Sequence, residues 1–139
     1  MKTLSITLII LLVGFFAVSV SAEEKADSAL HDMHMIMRFM NHGLSVALEG
    51  ADLQMLGQLG LSEKLDRDAV VHGTIMVNDG KGMINEMLEG KAMQALYKEG
   101  SFDQKIMDDL HILGDKMLEV IEQVEKMHKS VFKQVTDKK

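Results

Sequence analysis

The sequence predicts an all-α protein, a small bundle of three long helices plus a short fourth helix. The composition gives the first reason. Methionine, leucine, glutamate and lysine are abundant, whereas the chain has no proline, cysteine or tryptophan and only one tyrosine; such a composition favours helices over sheets. The second reason is that apolar residues recur at alternating steps of three and four, which is the helical period. A four-helix bundle is a variant of the same pattern.

The first element is an apolar run over residues 4–20, preceded by Lys2 and closed by Val-Ser-Ala at 20–22. Signal peptidase accepts small residues at the first and third positions before the cut. The pattern predicts a signal peptide over 1–22 and a single domain over 23–139. An uncleaved membrane anchor is the alternative, because the run is about as long as a short membrane span.

This organisation predicts an exported protein, most simply a bacterial periplasmic one, with no stable membrane span after cleavage. Loss of Lys2 leaves 14 basic against 21 acidic side chains, a net charge of −7. That charge disfavours nucleic acid as a partner. The absence of cysteine excludes disulfides, thiolate metal sites and covalent c-type haem.

The first helix of the domain carries an apolar stripe that ends before Gly57. Gly43 and Gly50 lie along it, and each glycine costs about 1 kcal/mol relative to alanine inside a helix. The sequence does not decide whether the helix is continuous, kinked or broken at either glycine. The stripe consists of Leu30, Met33, Met37, Met40, Leu44, Ala47, Ala51 and Met55.

A middle helix is predicted over 66–89 and a short helix over 91–98, each closed by a glycine. The last helix begins near Phe102, with Ser101 as the expected N-cap, and lysines crowd its far end, where the helix dipole favours them. Its stripe is the most regular in the chain. It consists of Ile106, Leu110, Leu113, Met117, Val120, Val124, Met127, Val131 and Val135.

Two stretches about thirty residues apart share a histidine, a glycine directly after it, and a second glycine further on. They are His42-Gly43 with Gly50 and His72-Gly73 with Gly80. Glycine at helical spacing lets two backbones approach closely. Either an old duplication of a helical hairpin or coincidence between two glycine-rich helices explains the repeat.

Part of this region resembles a known group of families. Ala-Leu-Glu-Gly-Ala-Asp-Leu at 47–53 and Ile-Met-Val-Asn-Asp-Gly at 75–80 make residues 47–88 similar to exported bacterial ferritin-like helical-bundle families of unknown function. In those families a helical hairpin often carries Met-Val-x-Asp-His, and this chain has Gly80 where that histidine would stand. The resemblance implies a bundle fold, ferritin-like in its four-helix variant, and no activity. No role of that histidine is carried over.

Iron chemistry and catalysis have weak support. A ferritin-like di-iron site needs a glutamate from each of two helices and a Glu-x-x-His pair from each of two others. The chain offers one such pair, Glu125 and His128, which we expect to be solvated, and the middle helix supplies only Glu86 and Glu89. No serine stands in a nucleophile-elbow context and no phosphate loop is present, so the protein is predicted not to be an enzyme.

The stretch HDMHMIMRFMNH, residues 31–42, contains four methionines and three histidines. Copper(I) is the leading candidate cofactor, because thioethers prefer it and imidazole binds copper in either oxidation state. Helical spacing places Met33, Met37 and Met40 on the core stripe, where methionine is also an ordinary gap-filler. A neighbouring face carries His31, Met35, Arg38 and His42.

An up, down and up arrangement of the three long helices places soft ligands from all three at one end of the bundle. The candidate metal site consists of Met33, Met37, Met40, Met83, Met87, Met107 and His111. Haem is the runner-up, since a methionine and a histidine on facing helices ligate it axially. Met33 and His128 would imitate the b-type bundle cytochromes only if their helices were antiparallel, whereas the predicted topology makes them parallel.

Two functions of different class follow from these observations. The first is a binding or scaffold module without a metal, whose methionine-rich surface or core serves a protein partner or a homo-oligomer. The second is a periplasmic Met/His protein that buffers or delivers copper(I). Sulfur atoms that converge on His111 would favour the metal, and methionines that fill the core would favour packing.

Overall fold

A computed structural model describes the backbone of residues 2–60, 63–100 and 102–137, and the side chains of residues 27–60, 64–98, 100, 102–134 and 137. These residues form no strand, which confirms the predicted all-α class. The elements are α1 (Lys2–Gln58), α2 (Glu63–Glu89), α3 (Lys91–Glu99) and α4 (Gln104–Thr136). Because α2 and α3 form one bent unit, the bundle consists of three rods.

The predicted signal peptide, residues 1–22, lies among residues whose side chains are outside the described set, and it stays a prediction. Among the described residues, no helix has the length and apolar character needed to cross a membrane.

The most extensive helix contact among the described residues joins α1 to α2 in antiparallel orientation, and glycines make this contact close. A Cβ atom placed on Gly43 would lie 2.7 Å from the carbonyl oxygen of Gly80, and one on Gly50 would lie 2.6 Å from that of Gly73. Real Cβ atoms do not come this close to a carbonyl oxygen, so only glycine fits at these two positions. The two His-Gly stretches are therefore the two sides of one helix contact, and α1 continues through both of its glycines.

Helix α4 lies against the α1–α2 pair, parallel to α1. Gly114 allows it to approach α2, since a Cβ there would lie 2.6 Å from a methyl carbon of Leu88. The N-cap of α4 is Asp103, whose carboxylate accepts a hydrogen bond of 2.8 Å from the backbone N–H of Ile106. The helix thus begins after Asp103, and the predicted cap, Ser101, lies outside the described residues.

The stripe predicted for α4 is only partly correct. Leu110 and Met117 are buried as expected, but alternate members of the stripe are exposed, among them Leu113 at 37%. The buried face is rotated toward residues that the prediction left out, namely Met107, Gly114, Ile121 and His128. Two apolar stripes run side by side along α4, and the sequence merges them into one. Packing against α1 and α2 covers only one of the two.

Candidate functional site

Three of the four methionines in the stretch 31–42 pack in or against the core, and the fourth, Met35, is exposed. Met40 is fully buried, and Met33 and Met37 are half-buried against the central hydrophobic cluster. His31, His34 and His42 are exposed on other faces of α1. The predicted core stripe is correct for these methionines but not throughout α1, because its first member, Leu30, is 54% exposed and Ile36, which the stripe left out, is buried.

The helix register brings the predicted methionines to one end of the bundle. The contact of Gly43 with Gly80 and Met83 places Met83 close to the level of Met40 and Met87 one turn further along α2. Met87 packs against the core from the edge, and Met107 of α4 is buried within it. Met87 and Met107 therefore join the methionines of α1 at the core cluster. Met83 stands at the same level but on the side of α2 that faces away from α4, so the structure does not bring it together with the rest of the predicted site.

The sequence reasoning missed two methionines of this region. Met93 of α3 is buried at 1% exposure, and Met117 of α4 is buried too. Met117 stood in the predicted stripe of α4 without being assigned to the metal site, and Met93 lies on a helix too short for its buried face to be derived from spacing. The methionines fill volume that aromatic residues occupy in most cores, which is the packing role of this flexible side chain.

His111, the only imidazole of the predicted site, is half-buried on α4. Its ring lies 5.9 Å from the ring of Tyr97 on α3, with the two planes inclined by 39°. This tilted aromatic contact joins α3 to α4. The histidine thus has a structural neighbour on the short helix in addition to its position level with the methionines.

The pair Glu125 and His128 is not solvated as predicted. His128 is buried at 8% exposure, and its Nδ1 donates a hydrogen bond of 3.1 Å to the carbonyl oxygen of Ala51 in α1. Glu125 accepts a bond of 2.6 Å from the Lys81 ammonium group in α2. The prediction was wrong because the core face of α4 is rotated toward these residues. The pair attaches α4 to both of its neighbours.

Within the described ranges, no group of three or more histidine or carboxylate side chains is arranged to hold a metal ion. Glu86 and Glu89 of α2 are exposed. One surface depression of about 520 Å³ is lined by Met33, Met37, Leu30, Asp27, His31 and His34. A second depression, of about 250 Å³, is lined by Met35, Arg38, Phe39 and His42.

A row of apolar residues remains uncovered along α4. Ile106, Leu113, Val120 and Met127 follow one another at steps of seven residues, and each is between 37% and 55% exposed. We call these four residues the α4 seam. A spacing of seven keeps side chains on one face when two helices supercoil around each other. The seam therefore has the spacing of a helix–helix contact, but none of the described helices covers it.

Two ion pairs lie on the polar side of α4. Lys105 binds Asp109 and Lys116 binds Glu119. The hydrogen bond from each lysine to its carboxylate raises the pKa of that lysine above its usual value, and the neighbouring negative charge adds to the effect. Both pairs are exposed, where ion pairs contribute little to stability. Asp109 and Lys116 stand three residues after Ile106 and Leu113, so the two ion pairs border the seam.

Fold and surface together define the class: a small all-α bundle with a methionine-rich core and an uncovered apolar seam. Comparison with protein-family models, with curated proteins and with solved structures gives no match. The resemblance to ferritin-like families stays a prediction.

Proposed function

We propose that the protein is a non-catalytic, exported helical-bundle module that binds an amphipathic helix of another exported protein through the α4 seam. The single observation that carries the proposal is the exposure of four apolar side chains at heptad spacing on α4. Monomeric soluble proteins rarely leave a continuous apolar surface of this kind uncovered.

The spacing also specifies the partner. From Ile106 to Met127 the seam spans 21 residues, which is about 32 Å at 1.5 Å per residue. A helix with apolar residues at i, i+3, i+4 and i+7 fits such a surface, because its side chains enter the gaps between successive seam residues.

A photo-crosslinking amino acid at Leu113 tests the proposal in the cell that makes the protein. We expect a covalent adduct whose peptides map to the apolar face of one helix in one exported protein. The same amino acid at Lys126, an exposed polar position of α4, serves as the matched control and should give no such adduct. The additional change Ile106→Lys should abolish the Leu113 adduct, since it places a charge in the contact. Equal adducts at both positions, or adducts that survive Ile106→Lys, would rule out the seam as a specific site.

Copper(I) binding is the second candidate, and the observation in its favour is the gathering of methionines from three helices near the level of His111. If the site is real, His111→Ala should weaken copper(I) affinity at least about tenfold, roughly 1.4 kcal/mol. Met33→Leu with Met37→Leu should weaken it comparably and keep the helical spectrum, because leucine and methionine have similar volumes. Met35→Leu, on the neighbouring face, is the matched control. Competition with a copper(I) chelator measures all four proteins, and a parent that cannot compete would exclude the site.

A further inference from the structure

The α1–α2 pair has two apolar faces, and α4 covers one of them. Two glycines of α1 lie between neighbouring residues of α2: Gly43 between the side chains of Met83 and Ile84, and Gly50 between the side chain of Met76 and the backbone nitrogen of Val77. Ile84 and Val77 are buried in the core cluster beneath α4, whereas Met83 and Met76 are only half-buried. The half-buried members of these pairs point to the side of the hairpin that faces away from α4.

Helix α1 shows the same division. Met40 and Ala47 are fully buried on the α4 side of the glycines. Phe39, Val46 and Leu53 stand on the other side of the glycines, because successive residues are rotated by about 100° around a helix. Phe39 is 43% exposed, and the other two are half-buried. We call the uncovered side the hairpin face. It consists of Phe39, Val46, Leu53, Ala69, Met76 and Met83.

Charged and polar residues border the hairpin face in a regular order. His42 and Glu49 lie along its α1 edge, and His72 and Asp79 lie along its α2 edge, all exposed. Within the described part of the chain, none of these four side chains forms a hydrogen bond or an ion pair. The helix register places His42 close to the level of Asp79, and Glu49 close to the level of His72. Each histidine therefore has an acidic residue at its own height on the other helix.

We propose that the hairpin face binds a second copy of this chain, related by a two-fold axis parallel to the helices. Rotation about such an axis does not change the position of a residue along the helices. Residues of α1 and α2 that lie at the same level within one hairpin therefore also lie at the same level across the interface. Helix α1 of one copy then lies on α2 of the other. Phe39 meets Met83 of the second copy, and Val46 meets its Met76. Four helices form the centre of the dimer, and α4 of each copy covers the outside.

Charge complementarity favours a second copy over an unrelated occupant. In this arrangement His42 faces Asp79 of the second copy and Glu49 faces its His72, and each of these pairs occurs twice because the interface is isologous. An imidazole N–H donates a hydrogen bond to a carboxylate, and complementary polar pairs at the rim of an interface fix its register and disfavour other partners. The α4 seam lies on the far side of the bundle, so the dimer leaves it free. The proposal therefore does not depend on the seam.

Two charge variants of the mature chain test this arrangement. The acidic variant carries His42→Glu and His72→Glu, and the basic variant carries Glu49→Lys and Asp79→Lys. In the dimer, the acidic variant alone places carboxylates opposite carboxylates, and the basic variant alone places lysines opposite histidines, so each variant loses its rim pairs. We expect sedimentation equilibrium to give a dimer for the parent and self-association at least about tenfold weaker for each variant. An equal mixture of the two variants should restore a dimer with parental affinity, because every rim pair in the heterodimer is then complementary.

Two further variants keep the test decisive. Val46→Lys places a charge in the centre of the hairpin face and should abolish the dimer, whereas Leu113→Lys changes the α4 seam and should leave it intact. The helical spectrum and thermal midpoint of each variant verify that it folds. A monomeric parent, a mixture that stays monomeric, or a dimer lost with Leu113→Lys but kept with Val46→Lys would overturn the proposal. The last result would place self-association on the seam and would also contradict the function proposed for it.

Discussion

Replacing Leu110 with aspartate is expected to unfold the domain or to lower its free energy of unfolding by several kcal/mol. Leu110 is 6% exposed and lies in the central cluster between α4 and the α1–α2 pair. A carboxylate there loses its hydration, and none of the apolar neighbours in the cluster offers it a hydrogen bond or a positive charge. The loss is comparable to the whole stability of a domain of this size.

The matched control for Leu110 is Leu113→Asp, one turn further along α4. The sequence assigns both leucines to one stripe, but Leu113 is 37% exposed. Its carboxylate would stay hydrated, so we expect a loss of less than about 1 kcal/mol. Urea unfolding followed by circular dichroism measures both variants. Similar losses at the two positions would mean that the buried face of α4 is not the one described above.

Replacing Gly80 with leucine is expected to cost at least about 3 kcal/mol, because the added atoms have no space between α1 and α2. A Cβ on Gly80 would already overlap the carbonyl oxygen of Gly43 and would lie 2.7 Å from the Cβ of Ala47. The obstacle is backbone rather than a flexible side chain, so the two helices have to separate. Separation opens the contact on which both the core and the hairpin face depend.

Gly82 provides the control within the same helix. It lies two residues beyond Gly80, and a Cβ there would meet no atom within 4 Å. Gly82→Leu should therefore raise stability by up to about 1 kcal/mol, since leucine is the better helix former. Thermal unfolding of the two variants gives shifts of opposite sign. A destabilised Gly82 variant, or an unaffected Gly80 variant, would contradict the helix register.

Most of the fold could be predicted from the sequence because helix formation is a local property. Apolar periodicity and glycine stops located the ends of α1, α2 and α3, and α2 begins only three residues before its predicted start at Asp66. The start of α1 at Lys2 was not predicted, because residues 1–22 were assigned to a separate signal peptide. The end of α3 at Gly100 was also predictable, because helices often end at a glycine. In the structure the backbone of Gly100 adopts the left-handed conformation that glycine tolerates. The first residue of α4 could not be decided from the sequence. Ser and Asp are both good caps, and the structure selects Asp103.

The candidate site was predictable in part for the same reason. Spacing alone placed Met33, Met37 and Met40 on one face, and helix lengths placed Met83 and Met87 at their level. The structural role of His128 could not be predicted, because it depends on the carbonyl of Ala51 on another helix. Met93 was missed because α3 has only nine residues, too few for periodicity to define a face.

The sequence by itself determined that this chain forms helices, roughly where they begin and end, and that glycines recur at helical spacing on two of them. Only the tertiary structure decided what those glycines contact, which of the two apolar stripes of α4 is buried, and which sides of α1 and α2 remain uncovered. The physical reason is that helix formation depends on residues three or four positions apart, whereas burial depends on the helix that packs beside them. Leu110 and Leu113 are both leucines in one regular pattern, and only the position of α1 and α2 makes one of them core and the other surface.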